Sequence, residues 1–538
     1  MSVTNLDFLK IGGLYPPNTE VARLARYKRY DDIFYSRVGD AYSSYIKDVT
    51  QNHTIANQML TLYSNPRIMN YGRAITKKIV DLMFSRKPSL TYTTNEGDFD
   101  LIEIARTTKA WNKMRLAFID VSRYGDGWVR EYNRIERVMD ESGKMSDGEA
   151  GANVISPSLV TIVVDPLDKE NIKNIIIGWV DEVNEEYLST NGLTVTKTDY
   201  YLSLEIHERG AFEYKRFKVS APVLNTGAVK QYILEEEVTE ADKRGKKIPT
   251  GLKGFAVKHY MNFTTSDDPL CGLSDYDMFD SLMIDLCQRV SQLSEVFEKH
   301  GNPSMQGSPE LMSQDENGDP VFYAGDFYPV SKDQKELSYL TWDSKSKEVI
   351  DYCNNILKQI FMLSEMGDGS IMGYNDGSTG FAESGKAIRM KMASPLMKAQ
   401  SLMSENEDEI ISLIHDFSVI MGKNLEIKNI EVQWNDGLPI DWTEETNNFG
   451  TRVQNNTESI VYGLQRRFGM TPAQAMDEFK QILKEKEEMS KISLQNKDNS
   501  GNIQNVNNDS GAVRSKTRDQ VENETDAKNS QTAIKKPR

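Results

Sequence analysis

The segment Gly380-Phe381-Ala382-Glu383-Ser384-Gly385-Lys386-Ala387 comes within one residue of GxxxxGK[ST], the loop that cradles nucleotide phosphates on its backbone N–H groups. Ala387 stands where that chemistry needs a hydroxyl for Mg²⁺, and the preceding Asn375-Asp376-Gly377-Ser378-Thr379 offers no strand to aim the loop. The apolar run 159–165 ends in an Asp, as a metal-holding partner strand would, but Pro166 follows, as in an ordinary Asp-Pro turn. A flexible loop feeding a helix cap at Ser384 accounts for the first segment better than nucleotide binding does. Ser274, in Gly272-Leu273-Ser274-Asp275-Tyr276, lacks the second glycine of a nucleophile elbow and reads as a helix cap. The five histidines (His53, His207, His259, His300, His415) are scattered, with neither HExxH nor cysteine partners at ligand spacing, so no metal and no cofactor is expected. With 80 acidic residues no carboxylate pair stands out, and Glu405-Asn406-Glu407-Asp408-Glu409 reads as a solvated helix face.

The elements around these residues explain more than the residues do. Three helical stretches lie between Cys271 and Met421, in the order helix, Pro/Gly-rich insert, helix, Gly-rich loop, long helix. The first starts near Ser274 or Asp275, carries Phe279, Leu282, Leu286, Val290, Leu293 and Phe297 at spacings of three and four, and stops at His300-Gly301-Asn302-Pro303. The second, from about Asp343 or Ser344, carries Val349, Cys353, Ile356, Ile360 and Leu363, with Asp351, Asn354, Lys358 and Glu365 mostly elsewhere on the wheel. The third is expected over 383–421 with Pro395 as an internal kink. Neither of the first two helices is followed by a hairpin turn that closes a bundle, so their stripes are expected to be buried against copies of the same chain, in a ring or tube. The insert 301–342 is small and strand-rich, with Val321-Phe322-Tyr323 among its runs, and 367–380 holds too many glycines to fix one structure by local forces.

Upstream, 1–150 reads mainly helical, and 159–164, 175–180 and 200–206 are strand-like runs bounded by turn residues, which makes 1–270 an α+β region. A strand is expected over 427–434 and helix over 441–490. The last segment, from 493, has no aromatic residue and is expected to be disordered.

Composition narrows the function classes. At 538 residues with 38% hydrophobic content and a mean hydropathy of -0.55, the chain is expected to be soluble, with no membrane span and no secretory leader. The three cysteines Cys271, Cys287 and Cys353 fit reduced thiols. A net charge of -16 disfavours tight, static binding to nucleic acid, yet permits DNA that must slide past without sticking.

The order of segments resembles the portal (head-to-tail connector) proteins of tailed double-stranded DNA bacteriophages. Five matches carry the resemblance: Ile79-Val80-Asp81 running toward Lys87-Pro88; Tyr124-Gly125-Asp126-Gly127-Trp128; the strand 255–262 ending in Asn262, then Gly272-Leu273-Ser274-Asp275; Tyr339-Leu340-Thr341-Trp342-Asp343; and Ser384-Gly385-Lys386-Ala387. They span roughly 60–490. Ala256 stands where many members have Pro.

The resemblance implies an α+β, mainly helical subunit with wing, stem, clip and crown, assembling as a dodecameric ring around a central channel. Residues 1–270 would be wing, 271–300 and 343–366 the stem helices, 301–342 the clip and 367–382 the tunnel loop. The long wing helix and strand would fill 383–435, the crown 436–492 and the disordered tail 493–538. It implies a portal vertex in the virion, reached through assembly in the host cytoplasm, and no enzyme activity. Implied partners are the major capsid and scaffolding proteins, the terminase large subunit, the head-completion adaptor, and double-stranded DNA passing without tight binding. The expected channel lining is Asp351, Asn354, Lys358 and Glu365, with Asp368 and Asp376 of the loop, and the expected clip contacts are Phe322, Tyr323, Phe327 and Tyr328. Two other readings stay open: a nucleotide hydrolase using Lys386, and a scaffold or adaptor without a channel.

Overall fold

The computed structural model describes residues 3–37, 69–94, 101–135, 149–188, 194–224, 229–301, 346–367, 392–422, 427–434, 442–468 and 470–499, with residue 390 and short strand pieces between 305 and 339. Met1–Glu445 forms one compact unit, and a second begins at Thr446.

Among the described residues four helices open the first unit: α1 (Asn18–Phe34), α2 (Tyr71–Phe84), α3 (Leu101–Thr107) and α4 (Ala110–Tyr124). Asn70 caps α2 by accepting from the Arg73 N–H at 3.0 Å, and Ile75, Ile79, Val80 and Met83 bury its apolar face. Helix α4 stops because Gly125 takes the left-handed conformation at φ +92 and bonds back to the Val121 carbonyl. Against α4 packs a three-stranded antiparallel sheet in the order β12 (Val257–Met261), β3 (Asp126–Ile135), β4 (Glu149–Ile155).

The expected strand runs fall in a second sheet of eight strands, its main path β1 (Leu14–Tyr15), β10 (Lys230–Glu237), β8 (Ala211–Val219), β7 (Thr194–Glu208), β6 (Ile172–Leu188), β5 (Val160–Val164). Off that path, β9 (Val223–Leu224) pairs with β10 and β11 (Lys247–Pro249) with β8. All of these pairings are antiparallel. Alternate residues Leu202, Leu204, Ile206, Phe217 and Val219 point into one core, as a period of two requires.

Two long helices follow, α5 (Asp280–Gly301) and α6 (Ser346–Leu363), packed against each other. Ser274 does cap a turn, with its Oγ accepting from the Tyr276 N–H at 3.0 Å, but the turn is the 3₁₀ segment Asp275–Met278 and α5 starts only at Asp280. Tyr276 and Phe279, within and just after that turn, are both fully buried.

Between α5 and α6 the short strands β13 (Met305–Gly307), β16 (Phe327–Pro329) and β17 (Ser338–Tyr339) form one small sheet, and β14 (Ser313–Gln314) pairs with β15 (Pro320–Val321).

The long third helix is two helices, α7 (Ala393–Glu405) and α8 (Glu407–Ile420), and Pro395 is not its kink. Pro395 sits in the first turn of α7, where a missing N–H costs nothing. The break falls at Asn406, whose amide side chain is diverted to β12: its Oδ1 accepts from the Met261 N–H at 2.8 Å and its Nδ2 donates to the Met261 carbonyl at 2.9 Å. The acidic run around it is therefore only partly a solvated face. Glu405, Asp408 and Glu409 are exposed, but Asn406 is buried and Glu407 accepts from the Val432 N–H. Val432 belongs to β18 (Ile427–Gln433), which pairs with β2 (Ser89–Thr94). One continuous core joins α2, α4, the feet of α5 and α6, and α7 and α8.

Beyond these lie α9 (Trp442–Gln454), α10 (Ile460–Phe468) and α11 (Pro472–Asn499). Helix α11 runs past the expected start of disorder at 493; the remainder of the expected disordered tail, 500–538, lies outside the described residues.

Candidate functional site

Two of the sequence matches converge on one place, the foot of α5. Gly125 and Gly272 meet backbone to backbone: a Cβ on Gly272 would lie 2.0 Å from the Gly125 carbonyl oxygen, and one on Gly125 would lie 2.1 Å from that of Gly272. The Asn262 N–H donates to the Gly125 carbonyl at 2.8 Å. Only glycine permits this approach, which is why both segments carry it.

Beside the contact, the buried Asp126 carboxylate gathers three donors. Tyr27 Oη–H donates to Oδ2 at 2.6 Å, while the Gly272 N–H (3.0 Å) and His259 Nε2 (2.9 Å) reach Oδ1. The His259 ring lies flat on Trp128, with centroids 3.7 Å apart. Burial, reinforced by Asp126, pushes the Tyr27 hydroxyl well above its ordinary pKa, so it remains a donor. Burial also pushes the neighbouring Cys271 thiol up to about 12, which keeps it protonated.

A second ring of bonds surrounds Asp275. Its carboxylate accepts from Ser122 Oγ (2.6 Å), Asn262 Nδ2 (2.8 Å) and Lys398 Nζ (2.8 Å), the last from α7. Lys398 also reaches Glu365 Oε1 at 3.5 Å, just past the end of α6, where Glu365 holds φ +61. Tyr276 Oη shares a hydrogen bond with Thr76 Oγ1 at 2.8 Å. Thus α2, α4, α5, α7, the end of α6 and β12 are tied together through polar side chains in a buried setting, where each unmade bond would be costly.

A third buried cluster joins the three-stranded sheet to α8. Lys258 Nζ donates to Asp416 Oδ2 (2.6 Å) and Ser412 Oγ (2.7 Å) and lies 3.9 Å from Glu131 Oε1. Burial pushes the Glu131 carboxyl well above the usual range, with Lys258 pulling it back, so Asp416 is the charged partner of Lys258.

These sites hold side chains in place; they do not assemble a reaction. Ser274 Oγ spends its hydrogen bonds on the Tyr276 N–H and the Arg123 carbonyl (2.5 Å). Asp165 closes its turn by accepting from the Leu167 N–H and pairing with Lys173, within an antiparallel sheet unlike the parallel sheet of a nucleotide-binding fold. The near-P-loop 380–387 lies outside the described residues. Among the described residues no group of three or more His, Cys, Asp or Glu could hold a metal ion, and no helix is long and apolar enough to cross a membrane.

The expected channel residues are only partly placed. Asp351 and Lys358 are exposed on α6 seven positions apart, hence on one face, and Asn354 is half-buried between them. Glu365 is exposed but engaged with Lys398. Asp368 and Asp376 lie outside the described residues, as do Phe322 and Tyr323. Phe327 and Tyr328 belong to β16, which pairs in parallel with β13. The sequence flagged the glycines and Ser274, but not Lys398, Asn406 or the Lys258–Asp416 pair. Their partners lie more than a hundred residues away, and no local spacing announces them.

One acid on α4 carries a pH prediction. Burial pushes the Asp120 carboxyl up to about 7, with Arg123 pulling it down and Asp31 pushing it up. The folded chain thus keeps a proton that the unfolded chain releases near pH 4. The stabilisation is complete below that value and is lost as pH rises through about 7. Asp120→Asn is expected to flatten the fall of melting temperature between pH 5 and pH 8, roughly the window of that titration. An unchanged slope in the variant would show that Asp120 does not titrate there.

The buried joint and paired helices describe a structural protein that couples long helices rigidly to a sheet platform. The family model described as phage portal protein, SPP1 Gp6-like, matches residues 18–491, and the chain belongs to that family. No curated protein matches the chain significantly. The family is one of structural channel proteins.

Proposed function

We propose that this chain forms the ring-shaped channel at one capsid vertex through which double-stranded DNA is packaged and later ejected. In this reading α5 and α6 are the stem, the insert between them is the clip, 1–270 with 383–435 is the wing, and 436–492 is the crown. The ring is dodecameric, with terminase docking on the clip during packaging and a head-completion adaptor replacing it. The observation that carries the reading, beyond family membership, is the state of the paired helices. Phe297, Ile350 and Tyr352 stand 55%, 41% and 47% exposed, large apolar groups that a lone subunit would leave in water. Neighbouring copies would cover them, so stem order and assembly are linked.

Ile350→Glu is the test. It is expected to shift the protein from ring to smaller species in sedimentation velocity, by placing a charge in each subunit contact, while the subunit's circular dichroism is kept. Rings of undiminished size would show that this face is not between subunits.

The channel reading makes a second demand. Asp351, Asn354, Lys358 and Glu365, with Asp368 and Asp376 of the tunnel loop, face the lumen, and an overall acidic wall lets DNA slide without the counterion release that would hold it. Lys358→Glu is expected to leave rings intact and reduce DNA packaged per capsid. Packaging at the native level would remove Lys358 from the lumen. Phe322, Tyr323, Phe327 and Tyr328 are the proposed clip contacts with terminase and adaptor.

A further inference from the structure

The eight-stranded sheet has two unlike rims at the same height, and among the described residues neither pairs with a further strand. On one side, β5 pairs with β6 only from Ile172 to Ile177. Beyond Ile177, β6 has no strand on its outer edge among the described residues, although it continues paired with β7 as far as Leu188. Strand β8 ends at Val219, opposite Tyr200 and hence in line with Glu182, so the stretch from Val183 onward leaves the sheet as a two-stranded ribbon. At about 3.3 Å per residue the stretch 183–188 reaches roughly 20 Å. A two-stranded ribbon standing alone in water is marginal, and an open edge invites a further strand or surface. This arm is acidic: Asp181, Glu182, Glu185 and Glu186 lie in 178–188 with no Lys or Arg.

Following the register across the sheet, Glu182 pairs with Tyr200, Tyr200 with Val219 and Val219 with Leu234. The far rim at this height is therefore the start of β10 with β1 and β9. It exposes apolar side chains: Ile11 at 68%, Val223 at 55%, Leu224 at 67% and Ile233 at 41%. Its exposed cations are Lys230 and Lys10, the latter paired with Asp7 at 2.6 Å.

We propose that the β6–β7 arm of one copy docks on the β1–β10–β9 rim of the next, so that the sheets form a continuous belt around the ring. The occupant is a second copy of this chain. This rests on the ring reading above and names the surfaces that close it. Closed rings need heterologous contacts, two different surfaces on opposite sides of one subunit and at matching height. The sheet supplies such a pair, an acidic open edge and an apolar rim with cations.

The test places cysteines on both surfaces, Val183→Cys on the arm and Leu224→Cys on the rim, and treats assembled full-length protein with a short thiol-specific bifunctional reagent. The native cysteines are controlled by the two single variants. The double variant is expected to give a covalent ladder climbing well beyond the dimer, absent from either single variant. Rings visible by microscopy that give no such ladder would overturn the arm contact and leave the ring reading standing. Absence of rings in the unsubstituted protein, with capsid components present, would remove the ring reading and the arm contact with it. Charge reversal checks the contact independently: Glu182→Lys is expected to weaken ring assembly, and adding Lys230→Glu to restore it. Assembly unaffected by Glu182→Lys would contradict the contact.

Discussion

Gly272→Ala is expected to prevent the first unit from folding correctly, and Gly125→Ala to do the same. The added methyl would lie 2.0 Å from the Gly125 carbonyl oxygen in the first case and 2.1 Å from the Gly272 carbonyl oxygen in the second. Neither obstacle is a side chain that can rotate away; both are backbone atoms fixed by the Asn262–Gly125 and Gly272–Asp126 hydrogen bonds. Overpacking a well-filled site costs about 1–3 kcal/mol, occasionally more, and a backbone clash this close belongs at or above the top of that range. Gly125→Ala adds a left-handed φ of +92, worth on the order of 1 kcal/mol or more for a residue with a Cβ. Gly254→Ala is the control, since nothing lies within 4 Å of its Cβ position. Soluble, two-state unfolding with a normal midpoint in Gly272→Ala would mean that the two backbones do not touch.

Lys258→Met is the second large effect expected, a loss of about 3–5 kcal/mol, because removing one member of a buried ion pair strands the other. Lys258 is 5% exposed, and its ammonium is the donor to both Asp416 and Ser412. Without it, Asp416 keeps a charge in a largely dry site, and the Glu131 carboxyl loses the cation that pulls its pKa back. The double variant Lys258→Met/Asp416→Leu is expected to recover much of the loss, since the cost comes from the stranded charge and not from lost packing. Urea unfolding of the two single variants and the double closes the cycle. Additive losses with no recovery would show that the pair is not coupled.

What the sequence disclosed follows from the range of the forces involved. Local signals placed the cap at Ser274, the strand runs later found in the eight-stranded sheet, and the apolar stripes of α5 and α6, because capping and periodicity act over a few residues. The same local logic misplaced the break in the third helix: Pro395 is the residue with a known helix-breaking habit, whereas Asn406 breaks the helix only because β12 lies alongside. It also put the start of α5 too early: the Ser274 cap opens a 3₁₀ turn, and α5 begins at Asp280. The joint was half legible. Gly125, Asp126, Gly272 and Asp275 were visible as separate motifs, but their meeting, and the arrival of Lys398, depend on long-range contacts such as Gly272–Asp126, across 146 residues, that exist only in the folded chain.

The central claim is that this chain closes into a ring around a hole. Electron microscopy of the purified full-length protein, with particle mass from light scattering and capsid components added if the protein alone stays monomeric, tests it most directly. Rings of about twelve subunits, closed by heterologous contacts and with a central opening wide enough for duplex DNA, are the expected result. A solid, elongated oligomer with no opening would contradict the channel reading and favour a scaffold.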